Sequence, residues 1–87
     1  MTRAAAIPPF ERFYLEHRSE VLALLRRRLG SQRAEDAFQE TFLRALRAYE
    51  RLEHGRHLRA WVLTIASRRG TVSLYARADD GTPRGAV

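Results

Sequence analysis

Apolar side chains recur at helical spacing over three stretches of this 87-residue chain. From Phe10 to Leu29 they fall at Phe10, Phe13, Tyr14, Val21, Leu24 and Leu25, the rhythm of one helix face. His17 lies on that stripe, where a lone histidine more often packs at a core boundary than binds a ligand. Gly30 stands where this helix should end, and Ser31 where the next should be capped. Over 33–49, Phe38, Phe42, Ala45 and Tyr49 share a second core face. Periodicity then breaks around Gly55, so 50–57 is expected to be a loop, with room for one short extra helical turn. A third helix is expected from about Leu58 to Tyr75, with Leu58, Trp61, Val62, Ile65 and Val72 on one side. Gly70 inside it costs about 1 kcal/mol relative to alanine and marks a bend. Pro8-Pro9 ends an N-terminal arm over 1–9. Residues 78–87 carry no apolar pattern and are expected to be a disordered tail or linker. No strand pattern is present. The fold class is therefore all-α, a small three-helix bundle over 10–77.

Each of the last two helices also carries a stripe that core packing does not use. Opposite its core face, the second shows Asp36, Gln39, Glu40, Leu43 and Arg47. Asp36 and Glu40 are like charges at i, i+4, which slightly destabilises an isolated helix. Asp36 in the first turn offsets part of this by facing the helix dipole. Such a stripe is either an ordinary solvated face or a docking ridge: two acids and an amide around an exposed leucine suit arginines on a partner. On the third helix the outward residues are Ala60, Thr64, Ser67, Arg68, Thr71 and Tyr75, with His57 just before them. Hydroxyls, a guanidinium and a phenol suit phosphates and the faces of unpaired bases. A solvated polar side is the plain alternative.

Charge changes the balance between those readings. The formal net charge is +6, and all 16 basic residues are arginine. Segment 51–77 holds six arginines against Glu53 alone, whereas 33–49 is balanced at three against three. That asymmetry favours a polyanionic partner for the third helix over a uniformly arginine-rich surface. The chain lacks cysteine, so neither disulfides nor thiolate metal sites enter. No run approaches the roughly 18 apolar residues of a membrane span. Met1–Ala6 is too short and too weakly apolar for a signal peptide, so a cytoplasmic location is expected.

Catalysis finds no footing. The pair His54 and His57 beside Glu53 has metal-like spacing, but it lies on a loop without a third ligand of fixed geometry. Nucleophile-elbow and glycine-rich phosphate-loop motifs are missing. The acids of the second helix face an open convex surface, a poor setting for shifted acid–base groups. Neither an enzyme nor a cofactor is expected.

Two motifs carry a family resemblance. The run Ala34-Glu35-Asp36-Ala37-Phe38-Gln39-Glu40-Thr41-Phe42-Leu43-Arg44-Ala45 resembles the signature of the second conserved region of extracytoplasmic-function (ECF) sigma factors. Downstream, Arg59-Ala60-Trp61-Val62-Leu63-Thr64-Ile65-Ala66 resembles that family's Trp-Leu-x-x-Ile-Ala segment, at the fitting distance. The likeness spans about 10–77. It implies a transcription-initiation domain. Asp36, Gln39, Glu40 and Leu43 would dock on the clamp helices of the β′ subunit of core RNA polymerase. His54, Arg56, His57, Arg59, Trp61, Thr64, Arg68 and Tyr75 would face the non-template strand of the promoter −10 element and hold an extruded base. Trp61 is placed to pack first and to meet DNA second. An anti-sigma factor is a further partner that the likeness implies. Three features depart from the family. Arg68 stands where Asn is common. Val72 and Tyr75 replace an Asp-x-x-Arg pair. Nothing in this chain corresponds to the helix-turn-helix that reads the −35 element. These departures keep a second reading open: a polymerase- or anti-sigma-binding module without promoter recognition. A generic arginine-rich nucleic-acid binder is the third.

Overall fold

The structure, a computed structural model, describes residues 6–67 and 70–78, and for 76–78 the backbone alone. Three helical elements follow in order: α1 (Phe10–Tyr49), α2 (Leu58–Ala66) and α3 (Thr71–Ala78). No strand occurs among the described residues.

α1 begins without a side-chain cap, directly after Pro9. The Pro9 carbonyl accepts the N–H groups of Arg12 at 3.0 Å and Phe13 at 3.2 Å, and Glu11 sits in the positive first turn. An unbroken helix of 40 residues would be about 60 Å long. Instead the rings of Phe10 and Tyr49, from its two ends, are 5.0 Å apart. The chain reverses at Gly30, whose φ of +83° and ψ of 164° lie in a region essentially closed to other residues. α1 is thus a helical hairpin with limbs 10–29 and 31–49. The glycine break is where the sequence placed it, but helix resumes at once rather than at residue 33.

The expected third helix is two. α2 stops at Ala66, where Ser67 turns extended at φ −76° and ψ −163°. The Ser67 hydroxyl donates to the Thr64 carbonyl at 2.9 Å. The expected bend at Gly70 is a full break, and the reason is contact rather than propensity. A β-carbon on Gly70 would lie 1.7 Å from the Ile65 carbonyl oxygen. The backbone at Gly70, just before α3, therefore presses against the end of α2. The extra helical turn that the 50–57 loop had room for is absent; that segment holds turns and a bend only.

The core sits between the limbs and α2. Phe13, Val21, Leu25, Ala34, Ala37, Ala45, Val62 and Ala66 are fully buried, with Phe42, Leu58 and Val72 nearly so. Each large side chain here contributes about 1.5–3 kcal/mol by leaving water. The rings of Phe10, Phe13, Tyr14, Phe38, Phe42, Tyr49 and Trp61 join one cluster near the open end of the hairpin. Phe13 is its hub, with Phe42 at 6.0 Å, Tyr49 at 5.2 Å and Trp61 at 5.6 Å. His17 is half-buried with its ring 5.1 Å from Phe13, the packed boundary position expected of it.

Two candidate interfaces

The 50–57 loop and α2 enclose an open cleft of about 410 Å³. Trp61 and Ala60 form its back, Leu52 one wall, and His54, Arg56, His57 and Thr64 its polar rim. Trp61 reaches this place because it is at once half-buried and in ring contact with Phe13 and Tyr49. Its indole thus packs on the core and also borders the cleft. Thr64 is exposed and donates its proton to the Ala60 carbonyl at 2.8 Å, which leaves its oxygen lone pairs facing outward. His54 accepts the Arg56 N–H on Nδ1 at 3.2 Å, a bond that needs Nδ1 unprotonated. His57 precedes α2 in the left-handed conformation, φ 61° and ψ 30°, which is uncommon for a residue other than glycine. Its carbonyl accepts the Trp61 N–H at 2.9 Å. This strained residue fixes the angle at which the loop enters the helix.

Two of the residues that the sequence assigned to this face lie elsewhere. Arg59 points away from the cleft and forms a two-point ion pair with Glu20 of α1, its Nε donating to Oε1 at 2.9 Å. That hydrogen bond holds the Glu20 carboxyl below its ordinary pKa, helped by the charges of Arg59, His17 and Arg27, and it raises the pKa of Arg59. Tyr75 turns to the hairpin, its hydroxyl 3.4 Å from the Asp36 carbonyl. Arg68 lies outside the described residues. Glu20 carried no sequence signal as a partner, because 39 positions separate it from Arg59.

The second interface lies on the outer face of the 31–49 limb. Asp36, Gln39 and Leu43 are exposed, and Leu43 retains 47% of its surface. Glu40 is half-buried and accepts the Arg44 Nε–H at 2.8 Å, one turn on. The like-charge pair is thus tempered by a local cation. Beside this ridge, Phe10, Tyr14, Phe38, Phe42 and Leu46 join Gln39 and Leu43 around a cleft of about 330 Å³. Leu46 is 48% exposed. The sequence showed the acidic half of this surface but not the apolar half, which forms only when the limb 10–29 folds alongside. Among the described residues, no helix is long and apolar enough to cross a membrane, and no group of histidines and acids could hold a metal ion.

Residues 13–78 match the family described as Sigma-70 region 2. No curated protein and no solved structure matches the chain significantly.

Proposed function

Because the chain belongs to the sigma-70 region 2 family, a family of non-enzymatic transcription initiation factors, we propose that it is an ECF-type domain acting in the cytoplasm over about 10–77. Its family binds core RNA polymerase and promoter DNA. In our reading, Asp36, Gln39, Glu40 and Leu43 dock on the β′ clamp helices. The loop and α2 take the non-template strand of the −10 element. An anti-sigma factor would compete for the same surfaces.

The observation that carries the DNA half is the cleft itself. It offers an indole and a leucine side chain to a base and two imidazoles and a guanidinium to its phosphates. Extruding a base costs a few kcal/mol, which a snug pocket and stacking can offset. Docking rests on the exposed Asp36–Leu43 ridge and on charge-assisted pairing with partner arginines. The test is binding of the full chain to core polymerase, and to single-stranded against duplex −10 DNA at fixed salt. A preference for the single strand is expected. Equal affinity for any DNA removes specific recognition.

One observation favours the second reading. Val72 is buried in the core and Tyr75 leans on Asp36, so the described end of α3 turns toward the bundle. On that reading the chain binds polymerase or an anti-sigma factor and leaves the promoter alone. Intact polymerase affinity with no strand binding selects it.

A further inference from the structure

Residues 6–9 are tied to the bundle at three places. The Pro9 carbonyl accepts two N–H groups at the start of α1. The Tyr49 hydroxyl donates to the Pro8 carbonyl at 2.5 Å. Ala6 and Ile7 lie directly against Gly55: a β-carbon there would stand 2.2 Å from the Ala6 carbonyl oxygen and 3.2 Å from the Ile7 Cα. Two successive prolines stiffen the run between these points, and Pro9 continues it extended at φ −56° and ψ 146°.

The segment this strap touches has few bonds of its own. Arg51 and Leu52 donate back to the last turn of α1, and Arg56 donates to His54. Gly55 sits between His54 and Arg56, which both border the cleft. Tyr49, which holds the strap through its hydroxyl, backs Trp61 with its ring at 6.1 Å. Neither residue is explained by packing alone. A phenylalanine would supply the ring of Tyr49. Gly55 has no positive φ, so what glycine provides there is the missing β-carbon that lets the strap pass.

We propose that residues 6–9 are a brace that sets the position of the 50–57 loop, and that Pro8, Tyr49 and Gly55 are positioning residues for the cleft. The consequence for DNA rests on the nucleic-acid reading of that cleft. None of the three needs to touch the strand. They hold the backbone from which His54 and Arg56 reach it.

The test uses full-length Tyr49→Phe, Pro8→Gly and Gly55→Ala. Two quantities are followed: amide hydrogen exchange across 52–57, and quenching of Trp61, the sole tryptophan, by a short single-stranded DNA pool of random sequence. Faster loop exchange is expected in all three. Tyr49→Phe should weaken strand binding about two- to tenfold, the range for one lost hydrogen bond, and Gly55→Ala more. Polymerase affinity and helical content should stay at the parental level, which a merely structural role for Tyr49 would not spare. Parental loop exchange in Tyr49→Phe and Pro8→Gly overturns the brace, whatever the strand does; Tyr49→Phe keeps the ring that packs on Phe10 and Phe13, and Pro8 lies outside α1. Faster loop exchange in a chain whose parent leaves Trp61 unquenched supports the brace and removes the nucleic-acid reading beneath it.

Discussion

The buried hydroxyls of Thr41 and Thr71 stand 2.8 Å apart, 30 positions separate in the chain. Thr41 also meets the Ala37 carbonyl at 2.8 Å, and one hydroxyl has one proton to give. A consistent assignment has Thr41 donating to Ala37 and Thr71 donating to Thr41. This bond locks α3 to the hairpin.

Replacing Thr41 by valine takes the acceptor from the buried Thr71 hydroxyl, whereas replacing Thr71 removes only a donor to Thr41. Thr41→Val should destabilise the fold by about 1–2 kcal/mol, and Thr71→Val by less, since Thr41 keeps Ala37. The double variant should lie closer to the parent than the sum of the singles. Urea unfolding of the four chains checks this. Strictly additive losses would mean that the two hydroxyls do not interact.

Gly30 has open space around a built β-carbon, so alanine there meets no neighbour. Its cost is conformational. Gly30→Ala should destabilise by about 1–3 kcal/mol through the backbone alone. Asparagine, which tolerates the left-handed helical region, should not rescue it, because ψ at 164° lies far from that region. Thermal unfolding of the two variants decides, and a clearly more stable asparagine variant would contradict the assignment.

How much of this was legible beforehand varied with distance along the chain. The stripes of Phe13, Phe42 and Val62 gave the helices and the core, because each is a local period. Gly30 was readable as a break for the same reason. The division into α2 and α3 was not, since it depends on Gly70 meeting the Ile65 backbone. Motif and charge located the loop, Trp61 and Thr64 on one face. Arg59 was assigned to that face as well, but a carboxylate from another limb claims it. Tyr49 read as core, and its hydroxyl's role appeared only once the arm was in place.

Docking is expected to depend on both halves of its surface. Asp36→Ala and Gln39→Ala should each weaken core polymerase binding about tenfold, roughly 1.4 kcal/mol, without a change in Tm. Leu46→Ala should weaken it as well, by way of the apolar cleft. Fluorescence anisotropy with labelled chain measures all three. Parental affinity in both polar variants would sink the docking assignment.

Acid should act through Glu20. Its carboxyl has a lowered pKa in the folded chain, chiefly from the Arg59 hydrogen bond, against an ordinary value of 4.5. A depressed folded pKa means a contribution fully present above the unfolded value. That contribution is lost as pH falls through the folded one. Glu20→Gln should therefore show a smaller fall of Tm than the parent as pH drops below about 4.5. The pair is solvent-exposed, so the difference should shrink in high salt. Identical acid profiles would rule the pair out as a contributor.

The hairpin has one closed end and one open end, and they face different problems. From Gly30 outward each new contact between the limbs closes only a short additional loop, so zipping is cheap in chain entropy. The meeting of Phe10 with Tyr49 closes the longest loop between the limbs. There the chain concentrates its rings: Phe10, Phe13, Phe42, Tyr49 and Trp61 lie in mutual contact. The aromatic cluster is a clasp, and the cleft that Trp61 borders is built on the clasp rather than on the hinge.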